Sequence, residues 1–209
     1  MTCIIPNGII KIQTDKAAIL IMNNREVILE KALELFSSYG YDSTGVQEIA
    51  SAAGVTKPTL YHYFGSKEKL LDELLSTYSG KLMRMMQPAA DYQRDLPLTL
   101  YRVTKTYFEF AKEYQTYYRF HLSLWFAPSE SYPAKAVASY LHNQFIMIED
   151  IFLKASGDHG NMKGRHKRYA VSFIGMINSY ISLHTKDLIQ LSDELVYQAV
   201  HQFMHGIYS

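Results

Sequence analysis

Two short helical patterns joined by a glycine turn constrain the fold of this chain more than any other feature. In the segment TGVQEIASAAGVTKPTLYHYFGSKEK, residues 44–69, apolar residues recur at helical spacing over 46–53, and Gly54 follows them. A glycine directly after a helix supplies the left-handed backbone that closes its last turn. Thr56 can then cap a second helix, predicted from about Lys57 to Phe64, with Pro58 in its first turn. The segment therefore predicts two helices that meet at a tight turn.

The second of these helices divides into an apolar and a polar side. Leu60 and Phe64 are four positions apart and are expected to face the core. The opposite side carries hydrogen-bonding groups, from Lys57, Thr59, His62 and Tyr63. A DNA major groove admits one helix, led by its N-terminal residues. The pattern therefore predicts a helix-turn-helix that binds duplex DNA, while packing against other helices is the alternative explanation.

The longer stretch REVILEKALELFSSYGYDSTGVQEIASAAGVTKPTLYHYFGSKEKLLDELL, residues 25–75, resembles the N-terminal DNA-binding domain of the TetR family of bacterial transcriptional regulators. The leading helix, the IA..AGV turn, the TLYHYF helix and the SKE.LL restart all occur at the family's spacing. The resemblance implies an all-α fold of about nine helices, beginning with a three-helix helix-turn-helix domain. It places that domain at 23–80 and an effector-binding and dimerisation domain at 81–209.

Carried over by position, the resemblance implies a set of DNA-binding residues. The second helix contributes Thr44 and Gln47, and Lys67 holds a phosphate at the start of the fourth helix. The recognition helix contributes Lys57, Pro58, Thr59, Tyr61, His62 and Tyr63. Gly45 offers no hydroxyl where the family often has serine or threonine, and Gln47 replaces a frequent arginine. A packing role remains the alternative for Tyr61 and Tyr63, because aromatic side chains are often half-buried.

Charge and composition limit the possible partners and compartments. The whole chain has a net charge of +1 and a single cysteine, Cys3, which excludes an internal disulfide and fits the cytoplasm. Residues 23–80 carry five basic and eight acidic side chains, a net charge of −3. Attraction to DNA must therefore come from individually placed lysines and helix N-termini, doubled by dimerisation. No stretch reaches the ~20 apolar residues of a membrane span.

The N-terminal segment 1–22 is predicted to be a leader outside the native start. Pro6, Lys11 and Lys16 interrupt its apolar character, which argues against a signal peptide. Met22 opens MNNREVILEKALELF, which resembles the usual lead-in to the family's first helix. Asn24 or a neighbour is expected to cap that helix, which ends near Tyr39.

The remaining helices are predicted from apolar periodicity and from glycine and proline positions. A long helix from Ser66 should end near Met86, before Pro88, and a connector should span 89–97. The later helices are predicted at 98–114, 116–126, 132–155, 168–185 and 192–207, with a loop at 157–164. The basic residues of 163–168 are interpreted as a solvated helix start rather than a second DNA site.

Aromatic residues are concentrated between Tyr101 and Phe145, which predicts an apolar cavity with a few polar groups. A small hydrophobic or aromatic effector is therefore expected as a ligand. The predicted lining residues are Tyr107, His121, Trp125, Tyr140 and Gln144. The alternative is that most of these rings simply fill the core.

The last two predicted helices carry more apolar surface than a monomer requires, so they are expected to form a homodimer interface. His201 and His205 are four apart, but no third ligand is evident, and we predict no metal and no cofactor. The chain has no G-x-S-x-G, Walker or G-x-G-x-x-G motif, so it is not expected to be an enzyme.

Two functional classes remain open from the sequence. The first is a cytoplasmic, dimeric repressor that binds a palindromic operator and is released by an effector. The second is a TetR-like protein-interaction module or co-activator that no longer binds operator DNA. The acidic balance of residues 23–80 keeps the second class under consideration.

Overall fold

The computed structural model describes the backbone of residues 8–206 and the side chains of residues 24–206 other than residue 161. Within this range the chain is all-helical, as predicted. The helices are α1 Gly8–Tyr39, α2 Val46–Ala52, α3 Lys57–Phe64, α4 Lys67–Ala89, α5 Leu96–Glu113, α6 Gln115–Leu124, α7 Tyr132–Asp158, α8 His166–His184 and α9 Asp193–His205, with a 3-10 turn at Gly160–Met162 between α7 and α8.

The chain divides into two compact units, whose boundary falls between Leu74 and Leu75. We call the first unit the head and the second the body. The boundary lies inside α4, so this helix contributes residues to both units. The functional domain limits expected from the sequence, 23–80 and 81–209, remain a prediction.

The head is held together by apolar side chains that recur along α1 and meet the short helices. Ile28, Ala32 and Phe36 of α1 are buried, as are Ile49 of α2 and Leu60 of α3. Their spacing of three or four residues places them on one side of each helix. The packing of α1 on α2, and of α2 on α3, therefore leaves the opposite side of α3 uncovered.

Helix α1 begins at Gly8, so the predicted start at Asn24 is wrong. The segment from Gly8 to Gly40 contains no internal glycine or proline, and nothing in it interrupts the helix. The proposed leader, 1–22, falls partly within α1, and its residues 1–7 lie outside the described residues. The predicted end at Tyr39 is correct, and Gly40 follows with φ +86°.

Prolines that were expected to limit helices lie inside them instead. Helix α4 continues through Pro88 to Ala89, and the amide of Ala90 still donates to the carbonyl of Met86 at 2.8 Å. A proline in a last turn removes one donor without ending the remaining hydrogen bonds. Helix α5 begins at Leu96 rather than Leu98, because Asp95 Oδ1 accepts from the Leu98 amide at 2.9 Å.

The other helix limits differ from the predictions by up to three residues. Helix α6 ends at Leu124, while α7 continues past Gly157 to Asp158. Ser192, the predicted first residue of α9, is its cap instead, since its hydroxyl accepts from the Leu195 amide at 3.1 Å. The predicted end of α9 at Ile207 lies outside the described residues.

The body buries tyrosines together with partners for their hydroxyl groups. Tyr117 is 1% exposed, and its hydroxyl lies 2.7 Å from Ser79 Oγ. Tyr118 is equally buried and donates to Asn178 Oδ1 at 2.8 Å. These bonds satisfy polar groups that would otherwise destabilise the core.

Across the described residues, every helix is too short or too polar to be a candidate membrane span.

Candidate DNA-binding surface and effector cavities

Local signals fix both ends of α3. The Thr56 hydroxyl accepts from the Thr59 amide at 3.3 Å and lies 2.8 Å from the Thr59 hydroxyl. Gly65, at φ +77°, ends the helix. Leu60 is fully buried and Phe64 is 6% exposed, so the predicted apolar side faces the core. The polar side of α3 is consequently presented outward.

The turn before α3 also has the predicted form. Gly54 has φ +66°, a left-handed conformation that suits glycine, and the amide of Val55 donates to the carbonyl of Ala50 at 3.0 Å. This closure reverses the chain between α2 and α3. The predicted helix-turn-helix is therefore present in the structure.

Most of the sequence-predicted DNA-binding residues lie at the surface of the head. Gln47, Lys57, Pro58, Tyr61 and His62 are exposed, and Thr59, Tyr63 and Lys67 are partly buried. The Lys57 ammonium lies 5.7 Å from the centroid of the Tyr61 ring, so these two side chains share one edge of α3. The α2–α3 surface, defined by these eight residues, brings cationic, aromatic and hydrogen-bonding groups together.

Thr44 was predicted to approach DNA from α2, but it lies neither in α2 nor on the α2–α3 surface. It lies before α2, which begins at Val46, and its side chain is only 1% exposed. Its hydroxyl donates to the Gly40 carbonyl at 2.8 Å. Thr44 therefore holds the turn after α1, and its hydroxyl is already bonded within the head.

Lys67 lies at the first position of α4, above two aromatic rings. Its ammonium is 4.2 Å from the centroid of the Tyr41 ring and 5.9 Å from that of Phe36. Burial lowers the pKa of Lys67, while the carboxylates of Asp42 and Glu68 act in the opposite direction. Tyr41 was not among the predicted site residues, although it directly follows Gly40, which ends α1.

Arg25 is a second residue of the head that was not among the predicted site residues. Its guanidinium lies 5.4 Å from the centroid of the Phe64 ring and 2.8 Å from the Glu73 carboxylate. It therefore connects α1 with the buried side of α3 and the first turns of α4. Because its charge is paired with Glu73, Arg25 is expected to contribute less to DNA attraction than the lysines.

Three of the five predicted effector-binding residues occur together in the body. Trp125 and Gln144 line a cavity of about 290 Å³ with Leu141, His142, Phe145, Val171 and Ile174. His121 lies behind this α6–α8 cavity, where its Nε2 accepts from the Trp125 indole at 3.4 Å. Tyr107 and Tyr140 are not among the residues that line it. An effector contact of these two residues stays a prediction.

Burial sets the protonation and bonding of the polar groups near this cavity. His121 is 2% exposed, and burial lowers its pKa to about 4, so its ring is neutral at neutral pH. Gln144 is 4% exposed, and its side chain lines the cavity beside that of His142. A mostly apolar cavity with a few polar side chains suits a ligand that is mostly hydrocarbon with a small polar part.

Two further cavities in the body were not predicted. One of about 580 Å³ is lined by Leu96, Pro97, Leu100, Phe152, His159, Met162, Tyr169, Ser172, Phe203 and Met204. The other, of about 880 Å³, is lined by Met83, Arg84, Gln87, Pro88, Ala90, Asp91, Met147, Asp150 and Lys154. Residues distant in sequence form each of them, so no single stretch of the chain indicated their presence.

Helices α8 and α9 each leave apolar side chains exposed. Val171 is 60% exposed on α8, and Tyr197 is 58% exposed on α9. His201 and His205 are also exposed, with ring centroids 4.5 Å apart. Among the described side chains, no group of three or more potential metal ligands occurs.

The α2–turn–α3 arrangement defines a helix-turn-helix, a motif that occurs in many DNA-binding proteins. A family model described as "Bacterial regulatory proteins, tetR family" matches residues 28–74. This match and the all-helical fold support a relationship to the TetR family of bacterial regulatory proteins, which residues 28–74 carry.

The similarity to individual curated relatives is restricted to part of their length. The chain is 42% identical over 77 residues to the uncharacterized HTH-type transcriptional regulator YuxN of Bacillus subtilis, covering 37% of this chain and 26% of YuxN. It is 41% identical over 77 residues to the HTH-type transcriptional repressor KstR2 of Mycobacterium tuberculosis, covering 37% of this chain and 38% of KstR2. Both relatives are named as regulators of transcription.

The similarity to solved structures extends over most of this chain. The regulator FadR from Bacillus subtilis, in complex with stearoyl-CoA, has a TM-score of 0.72 and 20% identity, covering 88% of this chain and 99% of FadR. AibR, in complex with isovaleryl coenzyme A and operator DNA, has a TM-score of 0.68 and 22% identity, covering 86% of this chain and 96% of AibR. At these identities the likeness establishes the fold.

Proposed function

We propose that this protein is a dimeric, cytoplasmic transcriptional repressor that binds a palindromic operator and is released by a small, largely apolar effector. The observation that carries the proposal is the division of α3. Its polar side is exposed, while Leu60 and Phe64 fix it from behind. A two-turn helix anchored in this way has the dimensions and the chemistry to enter a major groove.

Within the α2–α3 surface, each group has a role that follows from its exposure. Lys57, Tyr61 and His62 are exposed, which supports a role for them in contacting base edges and the neighbouring backbone. Lys67 is the first residue of α4, which supports the proposal that it holds a phosphate. Thr59, Tyr63, Pro58 and Gln47 complete the proposed contact surface.

A dimer offsets the weak electrostatics of a single head. The net charge of −3 over residues 23–80 provides no general attraction to DNA. Two heads double the number of lysine contacts, and a two-fold axis requires two matching half-sites. The exposed apolar residues of α8 and α9, including Val171 and Tyr197, supply the proposed interface.

For the effector, we propose a ligand with a hydrocarbon part, of which an acyl thioester of coenzyme A is one candidate. The α6–α8 cavity supports this proposal, since it is lined by apolar side chains and the amide of Gln144. Acyl coenzyme A molecules accompany FadR and AibR, which share this fold. To act as an inducer, the ligand must bind the DNA-free conformation more tightly than the operator-bound one.

The test begins with the selection of DNA fragments from a random pool by the full-length protein. We expect a palindromic sequence, bound with an affinity that falls as salt increases. Lys57→Ala should weaken this binding, whereas Lys186→Ala, which removes an exposed charge in the body, should leave it nearly unchanged. If no fragment is enriched unless another protein is present, the interaction-module alternative is favoured.

Release of the operator by an acyl-CoA is measured in a separate experiment. Stearoyl-CoA and isovaleryl-CoA are titrated into the protein–operator complex, and operator affinity is measured with Gln144→Leu as the matched variant. We expect one acyl-CoA to release wild-type protein at lower concentration than the variant. A ligand that raises the melting temperature but leaves operator affinity unchanged contradicts a role as inducer.

A further inference from the structure

At the start of α4, the Lys67 ammonium lies over two aromatic rings, those of Tyr41 and Phe36. The ammonium lies 4.2 Å from the Tyr41 ring centroid, within the range in which a cation is attracted to an aromatic face. The centroids of the two rings are 5.1 Å apart, and both residues are buried, with Tyr41 8% exposed and Phe36 1% exposed. Lys67 therefore rests on a surface that is itself packed into the head.

The backbone after α1 fixes the position of Tyr41. Gly40, with φ +86°, turns the chain at the end of the helix, and Tyr41 follows directly. The Thr44 hydroxyl donates to the Gly40 carbonyl at 2.8 Å, and the Thr44 amide donates to the Tyr41 carbonyl at 3.3 Å. This closed turn leaves the Tyr41 ring little freedom to move away from Lys67.

An exposed lysine samples many rotamers, and water strongly hydrates its ammonium. Rotamer freedom and part of this hydration are lost when the lysine binds a phosphate. In this head, part of the hydration is already removed, because the Lys67 side chain is partly buried over the Tyr41 and Phe36 rings, and this burial lowers its pKa. The carboxylates of Asp42 and Glu68 keep the charged form favourable. The cation is thus partly desolvated and ordered before any DNA arrives.

We propose that Tyr41 is a positioning residue for DNA binding: its ring holds the Lys67 ammonium at the start of α4, ready to contact an operator phosphate. The inference rests on the proposed DNA-binding function and deepens it. Tyr41 itself touches no DNA, and its effect on affinity passes entirely through Lys67. Preorganisation of this kind increases affinity because less order has to be created on binding.

The experiment is a double-mutant cycle on operator affinity, measured with the full-length protein and its selected operator. The four proteins are wild type, Tyr41→Leu, Lys67→Ala and the double variant, with Tyr41→Phe as the matched control that keeps the ring. We expect Tyr41→Leu to weaken binding by about threefold to tenfold per head, from the usual strength of a cation–aromatic contact. Tyr41→Phe should remain within about twofold of wild type, because phenylalanine retains the aromatic face.

The decisive result is the effect of Tyr41→Leu when Lys67 is already alanine. We expect that effect to disappear, so the two substitutions are strongly non-additive. An undiminished effect in the Lys67→Ala background overturns the proposal and assigns Tyr41 a general structural role. Unchanged binding by Tyr41→Leu also overturns it, because the ring then contributes nothing to affinity, and tighter binding overturns it because the ring then keeps Lys67 from DNA.

Folding and function are separated by two further controls. Thermal unfolding is measured for every variant, and if Tyr41→Leu does not fold, Tyr41→Met replaces it, filling the apolar space without a ring. Failure of wild-type protein to bind any DNA contradicts the proposed function itself. Normal wild-type binding without coupling between Tyr41 and Lys67 contradicts only this inference.

Discussion

Helices α3 and α6 carry similar side chains but bury them differently. In α3, Tyr61 is 39% exposed and His62 is exposed, whereas in α6 Tyr117 and Tyr118 are each 1% exposed and His121 is 2% exposed. Helix α6 packs against α5, α7 and α8, while α3 is covered on one side only. The number of covered sides of the helix, rather than residue type, therefore decides whether tyrosine and histidine are available to a partner.

The same difference determines how the polar atoms of each helix are used. In the body, the hydroxyl groups of Tyr117 and Tyr118 bond to Ser79 and Asn178, within the unit. In the head, the Lys57 ammonium lies beside the partly exposed Tyr61 ring, at the protein surface. The polar side chains that a ligand of the α6–α8 cavity can reach are therefore those that line it, such as Gln144.

Leu60→Ala and Tyr61→Ala compare the buried and exposed sides of α3, and the first of them should have the greatest effect on stability. Leu60 has no exposure, so Leu60→Ala should lower the free energy of unfolding by about 2–5 kcal/mol, through lost burial and an unfilled cavity. Tyr61→Ala, on the exposed side, should cost less than about 1 kcal/mol. Denaturation by urea, followed by circular dichroism, measures both changes. Similar losses for the two variants would contradict the one-sided packing of α3.

The second prediction concerns pH and the buried histidine of α6. The pKa of His121 is lowered from 6.5 to about 4, so the unfolded chain binds more protons than the folded one between these values. Stability is therefore retained above pH 6.5 and lost as the pH falls towards 4, by up to about 3 kcal/mol from this group.

The pH dependence is measured by urea denaturation across this range, with two variants for comparison. His121→Leu should remove most of the loss, because no imidazole then has to remain neutral in the core. His62→Gln changes an exposed histidine of α3 and should keep the wild-type dependence. Equal pH profiles for wild type and His121→Leu would show that another group controls acid sensitivity.

The smallest expected effect concerns one hydroxyl group of the body. Tyr118→Phe removes the 2.8 Å bond to Asn178 and should lower the free energy of unfolding by about 1 kcal/mol. Tyr61→Phe, at the surface of α3, should change it by less than about 0.5 kcal/mol. The two variants are compared by thermal unfolding. A larger loss for Tyr61→Phe would reverse the contrast between the two helices.

The head could be predicted from sequence because local signals specify it. Thr56, Pro58 and Gly65 fix α3 within a few residues, and Leu60 and Phe64 define its buried side. The role of Thr44 could not be predicted, since its orientation depends on the turn that its own hydroxyl closes. Periodicity likewise assigns no partner to Tyr41, whose contact with Lys67 joins residues far apart in sequence.

The body was predictable as a set of helices but only partly as a site. Trp125 and Gln144 do line a cavity, while Tyr107, equally aromatic and equally apolar in its sequence context, is buried elsewhere. Helical spacing shows which residues face inward, but it does not show where packing leaves a void. The larger cavities depend on residues from several helices, so they appear only in three dimensions.

The hydroxyl pair at the start of α3 has a consequence for base preference. The Thr59 hydroxyl lies 2.8 Å from that of Thr56, so its hydrogen-bonding capacity is already partly engaged inside the protein. What Thr59 retains for a partner is its methyl group, which recognises hydrocarbon rather than polar edges. We therefore expect the facing operator position to be selected as thymine through its own 5-methyl group, and a uracil there to be discriminated against.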